Sequence, residues 1–134
     1  MTALKKSLWV YYVALASCNG CSLEVLATIS PLLDPERFGI KVVDSPKHAD
    51  VLLVSGLVNP KMKETLMTLY RQMPEPKKVI VLGSCSISNG VFTGSYNALE
   101  PVNKHIPVDM YIPGCPPRPQ AIFHGIARVL GEQL

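Results

Sequence analysis

Apolar residues in this chain come in short runs of two kinds, and the two kinds alternate. The first kind comprises "SLWVYYVALAS" (7–17), "FGIKVVD" (38–44), "ADVLLVSG" (49–56), "KKVIVLGS" (77–84) and "VDMYIPG" (108–114). These runs are rich in β-branched and aromatic residues and end in Gly, Ser or Asp, the signature of strands. "KKVIVLGS" is continuously apolar once past its lysines, as expected of a strand buried on both faces of a parallel sheet. The second kind has helical spacing. "SLEVLATISPLL" (22–33) predicts a helix broken at Pro31. "KMKETLMTLYRQM" (61–73) sets Met62, Leu66, Leu69 and Met73 on one stripe, most simply a core-facing one. "PQAIFHGIARVLGEQL" (119–134) predicts a last helix with Pro119 at its first position, where a missing N–H costs nothing. Between the last two strands, segment 86–107 carries Gly, Asn, Pro and Ser throughout and predicts an irregular loop.

This alternation predicts a doubly wound, mainly parallel α/β sheet of flavodoxin-like order. At 134 residues it forms one domain, 1–134, around one core. Hydrophobic residues reach 48% although aromatics are only 7%, so apolar surface is buried on both faces of the sheet or held against a partner. A net charge of +3, with no basic cluster and no aromatic–basic interleaving, argues against nucleic acid. No run approaches the roughly 20 apolar residues that span a bilayer. The apolar stretch after "MTALKK" is broken by Tyr11 and Tyr12 and leads to cysteines rather than to a cleavage site, so a cytoplasmic location is expected. Neither GxGxxG nor GxxxxGK[ST] is present, which leaves nucleotide binding without a motif.

Four cysteines in such a setting are metal ligands or catalysts more often than structural disulfides. Cys18 and Cys21 follow the first predicted strand, Cys85 follows "KKVIVLG", and Cys115 follows "VDMYIPG". In an open parallel sheet the carboxyl ends of the strands share one edge, where ligands bind, so all four thiols are expected on one rim. Gly20, Gly83 and Gly114 accompany them and let the backbone pass close to a bulky ligand. Pro116 and Pro117 shape the chain after Cys115 without donating hydrogen bonds. Three chemistries compete. A thioredoxin-type dithiol would use Cys18 and Cys21 and leave the other two unexplained. A structural zinc site would use four thiolates, usually as two short-spaced pairs, and only one pair exists. A 4Fe–4S cluster takes four thiolates at unequal spacing when a rigid fold places them, and on the residues alone it is favoured.

Three segments, "SCNGCSLE", "VLGSCSISNGVF" and "VDMYIPGCPPRPQAIFHGI", together resemble the small subunits shared by complex I and nickel–iron hydrogenases. The resemblance runs from about Ser7 to Leu130. It implies one 4Fe–4S cluster on Cys18, Cys21, Cys85 and Cys115, close to a large subunit's active-site region. Complex I subunits typically have adjacent cysteines in the first motif; this chain has Cys-x-x-Cys, as hydrogenases do. Uptake hydrogenase small subunits carry many more cysteines and usually an export signal, and with four cysteines and no evident cleavage site the chain is not expected to be one of them. The chain is thus similar to the single-cluster small subunit of a membrane-bound, energy-converting hydrogenase of the Ech or formate-hydrogenlyase kind. That implies an electron-transfer subunit, not catalytic alone, held peripherally on the cytoplasmic side of the membrane. The implied partners are a large subunit (nickel–iron or complex I-like), a ferredoxin-like iron–sulfur subunit and integral membrane subunits. A related complex I-like or sulfur-reducing complex is the alternative, and a stand-alone CxxC dithiol oxidoreductase is an alternative of another class.

Glu24 stands three residues after Cys21. It serves either as a carboxylate complementing a helix N-terminus or, as the resemblance implies, as a proton carrier at the large-subunit interface. Arg118 is either a donor to the cluster or a partner, or an ordinary surface arginine. His48, His105 and His124 have no ligand spacing with the cysteines and are expected to be structural or solvent-facing.

Overall fold

The computed structural model describes residues 8–16, 19–31, 39–74, 77–90, 93–96 and 98–132. In chain order these form β1 (Leu8–Ala14), α1 (Gly20–Thr28), β2 (Ile40–Val42), a 3-10 turn (Pro46–His48), β3 (Val51–Ser55), α2 (Pro60–Gln72), β4 (Lys78–Leu82), α3 (Ser84–Ser88), a second 3-10 turn (Val102–Lys104), β5 (Met110–Ile112) and α4 (Pro119–Glu132). The strands make one sheet in the order β2-β1-β3-β4-β5, with every neighbouring pair parallel. This is the flavodoxin-like order expected from the sequence.

The central strands are apolar on both sides because both sides are covered. All five residues of β3 are buried, as are the last four of β4. On one face Val10, Val51, Leu53, Ile80, Leu82 and Ile112 pack with Val25 of α1 and with Ile122, Ile126 and Val129 of α4. On the other, Leu52, Val54, Val79 and Val81 pack with Leu66 of α2 and with Met73, Val102 and Ile106. The predicted stripe of α2 faces this second layer: Leu66 and Met73 are buried, and Met62 and Leu69 pack partly against it. Asn59 starts α2 by accepting the Met62 N–H at 2.8 Å, with Pro60 next in line.

The sheet reverses its order of growth at β1. Val42 of β2 and Val51 of β3 both register on Val10, from opposite sides. The intervening chain crosses β1 by way of the 3-10 turn, and Val43 and Asp50 donate their N–H groups to the carbonyls of Val10 and Trp9. Such a switch point opens a crevice at the carboxyl ends of the strands, and the cysteines follow three of those ends.

Two local expectations differ from what is observed. Helix α1 begins at Gly20 rather than Ser22 and ends at Thr28, before Pro31. Asn19 takes a left-handed conformation (φ 74°), which Asn tolerates better than most residues, and so lets the helix start one residue ahead of Cys21. The segment expected to be a loop from residue 86 begins inside helix α3. "SCSIS" has no apolar periodicity, and tertiary bonds hold it: Ser86 Oγ donates to the Gly56 carbonyl at 2.6 Å, and Asn89 closes the helix with φ 64° and an N–H donated to the Cys85 carbonyl. The last two residues of the predicted C-terminal helix, 133 and 134, lie outside the described residues.

Candidate metal centre

Three of the four cysteines meet at the carboxyl edge of the sheet; Cys18 lies outside the described residues. Cys21 is the second residue of α1 and is buried. Cys85, the second residue of α3, is half-buried, and Cys115, in the bend after β5, is exposed. Gly20, Cys21, Gly83, Ser84, Cys85, Gly114, Cys115 and Pro116 line one recess with about 50 Å³ of free space. No charged side chain lines it among the described residues.

Gly83 stands between Cys21 and Cys85. Its φ is +89°, a conformation L side chains rarely adopt. A Cβ placed there would lie 2.9 Å from Cys21 Sγ and 3.8 Å from Cys85 Sγ. The missing side chain is therefore the space over which these sulfurs face each other. Backbone bonds fix the loops that carry the thiols. Gly83 N–H donates to the Ile112 carbonyl at 3.1 Å, and Ser84 N–H donates to the Gly114 carbonyl at 2.8 Å, tying the Cys85 loop to the Cys115 loop. At Gly114 (φ +143°) a Cβ would come within 2.6 Å of Pro117 Cα, so the chain folds too tightly there for any side chain.

The chemistry of the three described thiols and their cradle suits an iron–sulfur cluster. Soft thiols converge from separate elements onto a glycine-lined, uncharged recess, as a large sulfur-bridged group requires. One side is open at the exposed Cys115 and Pro116. Other candidates lie elsewhere. Glu24 is half-buried on α1, and because the helix starts at Gly20 it lies past the first turn, so the expected role of complementing the helix N-terminus does not hold; its carbonyl accepts the Thr28 hydroxyl at 2.9 Å. Arg118 is exposed, and its carbonyl accepts the N–H groups of Ala121 and Ile122 at the start of α4. His48 and His124 are exposed, and His105 Nε2 is 3.1 Å from the Glu100 carbonyl oxygen; none lines the recess. Tyr12 and Ser55, whose hydroxyls meet at 2.6 Å under the first turn of α1, were not among the residues expected to matter. Their inward-facing positions near the carboxyl ends of two core strands were the available signal.

Oxidoreductase subunits share this sequence and this fold. The chain belongs to the family of the NADH ubiquinone oxidoreductase 20 Kd subunit, which matches residues 18–129. It is 47% identical over 125 residues to the probable membrane-bound hydrogenase subunit mbhJ of Pyrococcus furiosus, covering 93% of this chain and 75% of that one. To formate hydrogenlyase subunit 7 of Escherichia coli it is 48% identical over 128 residues, 96% of this chain and 50% of that one. To an NADH-quinone oxidoreductase subunit of Carboxydothermus hydrogenoformans it is 48% identical over 120 residues, 89% of this chain and 70% of that one. The chain thus spans between half and three-quarters of the length of these relatives. A solved chain of the membrane-bound sulfane sulfur reductase, an archaeal respiratory membrane complex, superposes with a TM-score of 0.84 at 40% identity, over 97% of this chain and 72% of that one. An NAD+-reducing NiFe-hydrogenase chain, at 21% identity and a TM-score of 0.74 over 94% of this chain and 92% of that one, shares the fold. Among the described residues, no helix is long and apolar enough to cross a membrane.

Proposed function

We propose that the chain is the electron-transfer small subunit of a membrane-bound, energy-converting nickel–iron hydrogenase complex, holding one 4Fe–4S cluster on Cys18, Cys21, Cys85 and Cys115. The observation that carries this reading is that Cys21, Cys85 and Cys115 line one recess, with the Cys21 and Cys85 sulfurs facing the space left by Gly83. Bound there, a cluster supplies one-electron transfer, which no side chain of this site offers. The chain's own residues do the rest. Glycines make room, the Ser84–Gly114 bond holds two thiol loops in register, and the core beneath Cys21 excludes water from one side.

The open side at Cys115 is where the large subunit would sit, with a ferredoxin-like subunit delivering electrons and integral membrane subunits anchoring the assembly on its cytoplasmic side. Glu24, three residues after Cys21 on α1, would carry protons across the large-subunit interface. A sulfur-reducing complex is the second reading, favoured by the 40% identity to the sulfane sulfur reductase chain. Both readings use the same site here, since nickel ligands would be lost from another chain. A stand-alone dithiol oxidoreductase would need only Cys18 and Cys21 and gives Cys85 and Cys115 no task.

Anaerobically purified protein should be brown and contain about four iron and four sulfide per chain, without stoichiometric zinc. Cys85→Ala should abolish or severely deplete this content. Wild-type protein that is colourless and iron-free, or a Cys85→Ala variant with unchanged iron and EPR signal, would overturn the assignment. Two CxxC nickel-ligand pairs in the partnering large subunit would choose hydrogenase over sulfur reductase.

A further inference from the structure

Tyr12 lies on β1 and packs against the core layer beneath α1 and α4. Its hydroxyl is 2.6 Å from Ser55 Oγ and 2.8 Å from Ser22 Oγ. Ser55 ends β3 and is fully buried, whereas Ser22 belongs to the first turn of α1, directly after Cys21. A phenol donates one hydrogen bond and accepts others, so this single hydroxyl can satisfy both serines and link the central strand to the helix start. At the far end of α1 the one Thr28 hydroxyl proton lies between the Glu24 carbonyl at 2.9 Å and the Pro119 carbonyl at 3.3 Å, the shorter bond staying within the helix. Helix α1 is therefore hydrogen-bonded to the sheet at its first turn, while Val25 packs it against Ile122 and Ile126 of α4.

We propose that Tyr12 is a positioning residue for the thiol cradle: by bridging Ser55 and Ser22 it sets the depth and rotation of the first turn of α1, and with it the place of Cys21 Sγ beside Gly83. The tolerance there is small, because Cys21 Sγ lies only 2.9 Å from where a Cβ on Gly83 would be. A ring at position 12 would fill the core without its hydroxyl. The hydroxyl is needed for the bridge, and the bridge ends one residue from a thiol. The effect on the helix stands on the described bonds alone; the effect on a cluster rests on the function proposed above.

The test uses Tyr12→Phe, Ser22→Ala and the double variant, each as the full chain purified anaerobically with its complex. Amide hydrogen exchange across Gly20–Thr28 should quicken at least about fivefold in both single variants, with Pro60–Gln72 unchanged. Ala is a better helix former than Ser, so propensity alone would act in the opposite direction in Ser22→Ala. Iron content should hold, while the EPR line shape changes and the midpoint potential moves by at least about a threefold change in the oxidised-to-reduced ratio, about 28 mV for one electron. The double variant should show no more than the larger single effect.

Unchanged exchange in Ser22→Ala overturns the proposal even if Tyr12→Phe does not fold. So does quickened exchange with an unmoved EPR signal and potential, or a double variant whose effects add in full. Iron-free wild-type protein would instead sink the cluster assignment and leave the exchange measurement to decide the role of Tyr12.

Discussion

Replacing Gly83 by alanine tests the cradle with a single methyl group. Two costs follow, and they can be separated. The first is conformational: at φ +89° an L residue is strained, which costs about 1–3 kcal/mol. For a chain of this size that lowers Tm by about 4 °C per kcal/mol, or about 4–12 °C in all. The second is steric: the new Cβ would lie 2.9 Å from Cys21 Sγ, about half an ångström inside the 3.4 Å at which ordinary contact begins. Cys21 is 6% exposed and packed in the core, so relief must move either the thiol or the loop that ties Cys85 to Cys115. Metal–ligand distances tolerate only about 0.2 Å, so either movement should cost cluster occupancy. Gly94→Ala is the control, since Gly94 has nearly the same φ, +88°, with nothing within 4 Å of the added Cβ. It should lose stability but keep full iron. Iron and sulfide per chain, visible absorbance and thermal melts on both variants make the comparison. If Gly83→Ala kept wild-type iron and melted like Gly94→Ala, the claim that the missing side chain defines the thiol cradle would be refuted.

Glu24→Gln should preserve fold and cluster but lower hydrogen evolution, or H/D exchange, by the assembled complex at least about tenfold, a barrier increase of about 1.4 kcal/mol. Full activity with an intact EPR signal would leave Glu24 an ordinary half-buried carboxylate in the middle of α1. Leu66→Ala removes a fully buried side chain of α2 and should cost about 2–5 kcal/mol in denaturant unfolding; a loss under about 1 kcal/mol would contradict the packing of that helix against the sheet. On α1, Leu23 and Leu26 are 59% and 60% exposed beside the half-exposed Ile29, so the isolated chain should self-associate, and a Leu23→Ser, Leu26→Ser variant should be more monodisperse in light scattering. Equal association of both forms would move the sticky surface elsewhere.

Much of the architecture was legible in the chain itself. The continuous run "VIVL" of β4 and the stripe Met62–Leu66–Leu69–Met73 of α2 reveal which positions are buried, because burial leaves a local period in the sequence. Cysteines that follow separate predicted strands point to one edge, because parallel strands end on the same side. Tertiary structure decided what no local window contains. "SCSIS" has no helical pattern and becomes α3 through the Ser86–Gly56 bond, and α1 starts early enough to carry Cys21 inside it. The sequence shows a glycine before Cys85, but only the packing of α1 against the end of β4 brings Cys21 Sγ to the space that this glycine leaves open. The Tyr12–Ser22–Ser55 bridge has the same origin. Periodicity records which face of an element meets the core; the distances between thiols and hydroxyls on different elements are set by sheet register and helix docking, which join residues far apart in the chain.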